Sequence, residues 1–196
     1  MRDLGLDSDF VAAPVGDLWQ SFRMAAPSDA TITIRPAVWP QDHAVATLLL
    51  HHYARFLVEN PAGPVNICLV DYDKELEQLG QRYVEPHAAL LLAFLGDQPA
   101  GCVAIKLRPD RPGATELKRL WTEPLARGRG MGRALADAAI QWSRSHGAES
   151  VLLDTVANAM PDAVRLYRAL GFAETDRHND NPVDNLLFME LRIGPG

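Results

Sequence analysis

The chain has 196 residues, 47% hydrophobic and 22% charged, with 19 Lys+Arg against 25 Asp+Glu and a net charge of −6. That is ordinary globular usage for one domain with a buried core, and too acidic to bind nucleic acid through a general basic surface. Cys68 and Cys102 are too few for a disulfide framework or a four-thiolate zinc site, and the longest apolar run, residues 88–95, is far shorter than the roughly 20 residues of a membrane span.

Residues 1–30 mix Pro14, Gly16 and Pro27 with Phe10, Leu18, Trp19 and Phe22 and read as an N-terminal extension, with a candidate short helix over residues 17–24. Asp3, Asp7 and Asp9 and the lack of a long apolar block argue against a secretion leader, so a cytoplasmic protein is expected. Thr31-Ile-Thr-Ile-Arg35 alternates and predicts a strand that Pro36 ends. From about Gln41, the residues Val45, Leu48, Leu49, His52 and Phe56 follow helical spacing, and Asn60-Pro-Ala-Gly-Pro64 breaks that helix. A second helix begins at Asp71 with Tyr72, Leu76, Leu79 and Tyr83 on one face. Residues 88–95 and 100–107 read as a hairpin around Gly96-Asp-Gln-Pro99, and a further turn over residues 108–113 leads to a strand at 115–122. Met131, Ala134, Leu135, Ala138 and Trp142 mark a helix closed by His146-Gly147. A short buried strand at 150–155 is followed by a helix that starts at Pro161, carries Val164, Tyr167 and Leu170 on one side, and stops at Gly171. Residues 172–176 and 186–193 are the last strands. The strand–helix–strand succession after the meander predicts a parallel pair, so the fold class is α/β with a mixed sheet.

The most informative stretch runs from Leu117 to Arg133. A strand leads into Arg127-Gly-Arg-Gly-Met-Gly132, which opens a helix. Glycines there let backbone N–H groups approach a ligand, the first N–H groups of a helix lack internal partners, and the helix dipole favours an anion. Arg127, Arg129 and Arg133 add positive charge. The segment therefore reads as a phosphate cradle. It is not a Walker loop, because no Lys-Ser/Thr follows, and Arg133 stands where the dinucleotide fingerprint needs its third glycine. A structural glycine turn and an Arg-Gly nucleic-acid segment are the alternatives.

Arg127-x-x-Gly130-x-Gly132 resembles the pyrophosphate loop of the GNAT N-acetyltransferases, R/Q-x-x-G-x-G/A, and Ala163-Val-Arg-Leu-Tyr167-Arg-Ala-Leu-Gly171-Phe172 is similar to their A-x-x-L-Y-x-x-L-G-F segment. Glu116-Leu-Lys-Arg-Leu120, Leu153-Asp-Thr155, Asn181-Pro182 and Phe188-Met-Glu190 resemble a bacterial subgroup of that family. The resemblance covers residues 31–193 and implies an acetyltransferase domain over 31–196, with a mostly antiparallel sheet, a splayed parallel pair and flanking helices. It implies acetyl-CoA as co-substrate in the V between the splayed strands. Backbone groups of Leu120, Trp121 and Thr122 would pair with the pantetheine arm. Arg127, Gly128, Arg129, Gly130, Met131, Gly132 and Arg133 would hold the pyrophosphate, and Tyr167 would stand near the thioester sulfur. Many members carry Asn seven residues before the Tyr; here that position is Met160, with Asn158 nearby.

An alkylammonium must lose a proton before it attacks a thioester, the oxyanion needs a donor, and the departing thiolate is helped by an acid. Glu116 is the candidate base, acting through water, and Tyr167 the candidate acid. The alternative for Glu116 is a carboxylate paired with Lys118 or Arg108; for Tyr167, a core residue. Asp154 either accepts hydrogen bonds at a strand end or acts in the site. The acceptor region is expected in residues 57–66, the second helix and the loop at 176–185, with Glu59, Asn60 and His178 as substrate candidates. Acids there suit a cationic amine, while Arg177, Lys118 and Arg119 suit a substrate carboxylate. The expected reaction moves an acetyl group to a primary amine of a small molecule, an amino acid or analogue, by direct attack in a ternary complex. A peptide N-terminus or lysine is the alternative acceptor, and a non-catalytic acyl-CoA sensor the alternative function. No metal, nucleic-acid or membrane partner is expected; apolar residues on the terminal strands point to a homodimer.

Overall fold

The computed structural model describes residues 30–60, 72–183 and 185–194. The candidate helix at 17–24, Cys68 and most of the expected acceptor segment at 57–66 lie outside them. In chain order the elements are β1 (Ile32–Pro36), α1 (His43–Glu59), α2 (Tyr72–Glu77), α3 (Leu79–Arg82), β2 (Ala88–Leu95), β3 (Gln98–Leu107), β4 (Ala114–Thr122), a 3-10 turn (Pro124–Ala126), α4 (Met131–Ser145), β5 (Ser150–Val156), α5 (Pro161–Ala169), β6 (Ala173–Glu174) and β7 (Leu186–Arg192). The strands make a seven-stranded sheet in the order β1-β2-β3-β4-β5-β7-β6. Every neighbouring pair is antiparallel except β4 and β5. The mixed sheet with one parallel pair expected from the sequence is therefore what forms.

Successive strand residues face opposite sides, and β2 uses both. Leu91, Ala93 and Leu95 join one core with α4 and α5, whereas Leu90 and Leu92 join a second with α1, Tyr72, Leu76 and Leu79. This is why β2 reads as an unbroken apolar run.

Four details differ from the sequence reading. The buried stripe of α1 is Ala46, Leu49, Leu50, Ala54 and Leu57, rotated from the expected one; Val45 and Phe56 pack at its border. Its apolar residues cover much of the helix, so spacing alone does not single out the sheet-facing side. The second helix is divided at Gln78, whose N–H is shared between the carbonyls of Lys74 and Glu75 at 3.2 and 3.1 Å. The hairpin is tighter than expected: Leu95 pairs with Gln98, leaving a two-residue turn, and a register shift at Ala93/Phe94 absorbs the extra residue. Finally, β7 lies inside the sheet between β5 and β6, and it buries Phe188 and Met189 in the chain's own interior.

An irregularity in β4 shapes the centre of the sheet. Between Cys102↔Trp121 and Ala104↔Lys118 the β3–β4 register skips, and Arg119 takes a φ of 57°. Such a bulge bends its strand. The Arg119 guanidinium is anchored from the other layer: it bonds Glu75 on α2 at 3.2 and 2.8 Å and lies over the rings of Tyr72 and Tyr53. Parallel pairing of β4 with β5 covers only Ala114↔Ser150, Thr115↔Val151 and Glu116↔Leu152. Beyond Glu116 the strands separate.

Candidate active site

The separation opens a pocket of about 830 Å³ between the splayed halves of β4 and β5. Tyr53 and Leu57 of α1 and Tyr167 of α5 line it at one end. Lys106, Arg108, Glu116 and Lys118 line it along the sheet, and the segment Arg177–Val183 before β7 covers it. Leu120 and Tyr167, both expected from sequence on the donor side, line the same pocket, as does His178 from the substrate candidates.

Glu116 points into this pocket yet is only 2% exposed. Its Oε2 meets Lys106 Nζ at 3.0 Å, and its Oε1 lies 3.5 Å from Lys118 Nζ, 3.6 Å from Arg108 Nη1 and 3.0 Å from Asn179 Nδ2. Burial pushes its pKa up; the neighbouring Lys118 and Lys106, with the bond from Asn179, more than reverse this and bring it from 4.5 to about 2. Such a carboxylate is a weak proton acceptor at neutral pH. The alternative role for Glu116, pairing with Lys118 and Arg108, describes its surroundings, and Lys106, which the sequence reading did not single out, adds the shortest contact.

Asp154 stands two residues beyond the last β4–β5 pair, at the start of the opening. Its Oδ2 accepts a bond from Asn179 Nδ2 at 2.5 Å and its Oδ1 one from Asn181 Nδ2 at 3.4 Å. Its partners are neutral amides, in contrast to those of Glu116. The two asparagines are themselves held by loop geometry, since Asn179 Oδ1 accepts the N–H of Asn181 and Asn181 Oδ1 that of Val183, each at 3.2 Å. His178 places Nε2 3.1 Å from the carbonyl of Leu153, its ring meets Phe188 edge-on, and its carbonyl accepts a bond from Arg108 Nη2. With Asn179 on Glu116 of β4 and His178 on Leu153 of β5, the loop is tied to both splayed strands. Neither Asn179 nor Arg108 was a site candidate; the visible signal was the Asn-Asp-Asn-Pro run over residues 179–182, which suits consecutive Asx turns.

Tyr167 is 5% exposed, on the apolar face of α5 against Phe172. Burial, chiefly, pushes its hydroxyl well above the ordinary range, with the charge of Asp154 adding to the effect. It stays a neutral phenol, a proton holder. Thr155 and Met160 line the wall beside it. Met160 stands where many GNAT members carry Asn, and Asn158 is exposed and outside the pocket lining.

The glycine loop lies past the other end of β4. Gly128 and Gly130 have φ of 75° and 80°, and a Cβ built on either would meet nothing within 4 Å. Glycine is thus required there by backbone conformation, and the space above is open. The first intrahelical bond of α4 runs from Ala134 N–H to the Gly130 carbonyl, so the amides of Gly130, Met131, Gly132 and Arg133 are the donors left by helix geometry. Met131 is buried in the core, which fixes the helix start, and Gly132 packs near Thr122 and Leu166. Arg127 turns away from the loop: its Nε bonds the Thr122 carbonyl at 3.4 Å, and its guanidinium covers the rings of Trp121 and Phe56. Trp121 is fixed in turn by its Nε1 bond to Glu123 at 3.0 Å. Arg129 is exposed, and Arg133 faces Asp137 one turn on at 3.6 Å.

Two substrate candidates fall elsewhere. Glu59 is exposed and 4.0 Å from Arg55, and Asn60 bonds the Ala159 carbonyl at 2.8 Å, tying the end of α1 to the turn before α5; neither lines the pocket. Helix α1 instead offers Tyr53 and Leu57, which its altered rotation brings inward. Among the described residues no group of His, Cys, Asp and Glu is arranged to hold a metal, and no helix is long and apolar enough to cross a membrane.

Known proteins resemble this arrangement. The family described as the Acetyltransferase (GNAT) family matches over residues 55–172. An uncharacterised N-acetyltransferase of Schizosaccharomyces pombe is 33% identical over 172 residues, covering 87% of this chain and 99% of its own. An aminoglycoside N(6')-acetyltransferase type 1 of Stenotrophomonas maltophilia is 32% identical over 114 residues, 55% of this chain and 74% of its own. Among solved structures, an acetyltransferase of Streptococcus agalactiae aligns with a TM-score of 0.65 at 19% identity, covering 83% of this chain and 98% of that one. The Salmonella typhimurium protein yncA, solved with its cofactor acetyl-CoA, aligns at 0.63 with 22% identity, covering 83% and 94%. At these identities the structures share the fold.

Proposed function

Because this chain belongs to the GNAT family and is an N-acetyltransferase of that type, we propose that it moves an acetyl group from acetyl-CoA to the primary amine of a small molecule, an amino acid or analogue, by direct attack in a ternary complex. The observation that carries this reading is the early end of β4–β5 pairing, which leaves a bare strand edge between the glycine loop and a polar pocket. The residues present fit acetyl-CoA: the loop has open space above two positive-φ glycines, unspent helix N-terminal amides, and a strand edge with its β5-facing groups unpaired. The amides of Gly128 and of Gly130 to Arg133 would hold the pyrophosphate, and backbone groups of Leu120 to Thr122 would take the pantetheine arm as an added strand. Arg127 braces the loop through Thr122 and Trp121. When bound, acetyl-CoA supplies an activated acyl thioester.

The chain's own groups then divide the work. Tyr167 holds its phenolic proton at neutral pH and donates it from Oη toward the leaving sulfur. A backbone N–H of the bare β4 edge offers the oxyanion donor. The acceptor's ammonium gives its proton to the Asp154 carboxylate, or to water held by it, because that carboxylate is held by neutral amides, whereas Glu116 is committed to three cations. Glu116 serves as the counter-ion that assembles the pocket's polar wall. A pocket of about 830 Å³ under a tied loop suits a small acceptor better than a protein chain.

The test is calorimetry with acetyl-CoA, using ATP and NAD as controls, followed by CoA release with a panel of amines. Micromolar binding of acetyl-CoA alone with amine-dependent CoA release is expected. Binding without release from any amine would favour the sensor reading, and no binding would refute the cradle.

A further inference from the structure

The cations around Glu116 exceed what the fold needs to neutralise it. Lys106, Arg108 and Lys118 converge on one carboxylate, and Arg177 lines the same pocket from the covering loop. Asp110 engages Arg108 through Nε and Nη2, at 2.9 and 2.6 Å. The remaining nitrogen, Nη1, is buried and has no hydrogen-bond partner among the described residues; Glu116 Oε1 at 3.6 Å is its nearest anion contact there. Arg108 as a whole is only 9% exposed. An arginine nitrogen held dry in a pocket wall with an ion-pair contact but no acceptor within hydrogen-bond distance is costly unless something brings one. Arg177 is held by the Asn181 carbonyl and the Phe188 ring, and it pairs with no carboxylate among the described residues. The acids facing this pocket, besides Glu116 and Asp110, are Asp154 and Asp180.

Charge is therefore sorted along the pocket. Lys106, Arg108, Lys118 and Arg177 form a cationic pole; Asp154 lies at the opening toward Tyr167. One atom, Asn179 Nδ2, touches both Glu116 at 3.0 Å and Asp154 at 2.5 Å, so the two poles are close neighbours. A simple alkylamine would leave Arg108 Nη1 without a hydrogen-bond acceptor and Arg177 without a carboxylate among the described residues, and a polycation would be repelled by the four cations. A compact zwitterion satisfies both ends at once.

We infer that the Lys106–Arg108–Lys118–Arg177 wall is an anion subsite for the acceptor's own carboxylate, which makes the substrate class an amino-acid zwitterion with its carboxylate close to the reacting nitrogen. The inference rests on the acetyltransferase reading of this same site. The subsite binds and orients the carboxylate through charge-assisted bonds, with Arg108 Nη1 offering its unused donor. The ammonium then falls beside Asp154.

The experiment compares L-amino acids with their primary amides, which keep the amine and lose the negative charge. CoA release is followed with the full chain and acetyl-CoA. The subsite predicts at least one amino acid with a kcat/KM about tenfold or more above its amide, mainly through KM. Lys118→Met should narrow that ratio toward one, while Lys118→Arg keeps it. Arg177→Gln, an exposed position outside the Glu116 ion cluster, gives a second reading should Lys118→Met fail to fold. Amides used as well as acids, or no amino acid accepted at all, would overturn the subsite. Acetyl-CoA binding measured on the same samples reports on the donor side separately. Its loss would fault the acetyltransferase reading, and the subsite would fall with it.

Discussion

Glu116→Gln separates a counter-ion from a base. The change keeps the side chain's shape and an oxygen for Asn179, and it deletes the charge that Lys106, Lys118 and Arg108 face. In the folded protein, burial acts to raise the Glu116 pKa, but Lys118 and Lys106 outweigh it and the value falls from 4.5 to about 2. At about 1.4 kcal/mol per pKa unit, that shift is worth about 3 kcal/mol. Because the folded pKa is the lower one, the contribution is complete above about pH 4.5 and drains away as pH falls toward 2. Breaking a fully buried pair costs roughly 3–5 kcal/mol, but the side chains of Lys106 and Lys118 are 44% and 32% exposed, so water relieves part of their loss. A cost of about 2–3 kcal/mol at pH 7 is expected. For a domain of this size that lowers Tm by roughly 5–10 °C. Thermal melts of both proteins from pH 7 to pH 2.5 check it: the gap should narrow steadily below pH 4.5. A gap under about 1 °C at pH 7, or one that stays constant down to pH 2.5, would refute the counter-ion argument. So would a variant with unchanged melting that has lost only the acidic limb of kcat/KM, the signature of a base.

Three further substitutions have defined outcomes. Gly130→Asp puts a carboxylate at the start of α4 and forces a side chain into φ 80°; acetyl-CoA affinity should fall by about a hundredfold in calorimetry, and unchanged affinity would remove the loop from the cofactor site. Tyr167→Phe keeps the ring packed on Phe172 and should lower kcat by about ten- to a hundredfold with Tm nearly unchanged; full kcat across the pH range would end the acid role. Arg119→Met leaves the Glu75 carboxylate, which is 8% exposed, with the Tyr83 hydroxyl as its remaining side-chain donor, and removes the guanidinium that holds the β4 bulge to α2. Chemical denaturation should show a loss of roughly 3–5 kcal/mol, and a loss below about 1 kcal/mol would mean that the bulge holds itself.

The elements were legible because each carries a strong local signal. The apolar run of β2, the Pro161 and Gly171 that bracket α5, and the Gly147 that closes α4 fix boundaries within a residue or two. The parallel β4–β5 pair followed from the strand–helix–strand order. The rotation of α1 was not legible, since its apolar residues spread around the helix and only contact with the sheet and with Tyr72 and Leu79 selects a face. The break at Gln78 was hidden for a related reason: the apolar spacing of Tyr72, Leu76 and Leu79 is uninterrupted, and the break shows only in backbone bonding. The glycine loop was legible as a glycine turn because backbone conformation needs glycine at residues 128 and 130 regardless of what surrounds them.

The site's carboxylates show where local reading stops. Within its own strand Glu116 has Lys118 two residues on, whereas Asp154 has no charged neighbour in β5. The rest of the contrast comes from Lys106 across the hairpin and from Asn179 and Asn181, the two asparagines lying 25 residues or more from either acid. Glu116 is held by cations and Asp154 by neutral amides, which is the ground for the proposed assignment of Asp154 as proton acceptor and Glu116 as counter-ion. Asp154→Asn tests that division. Asparagine keeps an oxygen for Asn179 or Asn181, so melting should change little, while kcat should fall by about a hundredfold with acetyl-CoA binding retained. Glu116→Gln, in contrast, should act on KM for an acidic acceptor and on stability. If Asp154→Asn keeps kcat within about twofold, the proton leaves by another path, and the charge pattern of the pocket serves binding alone.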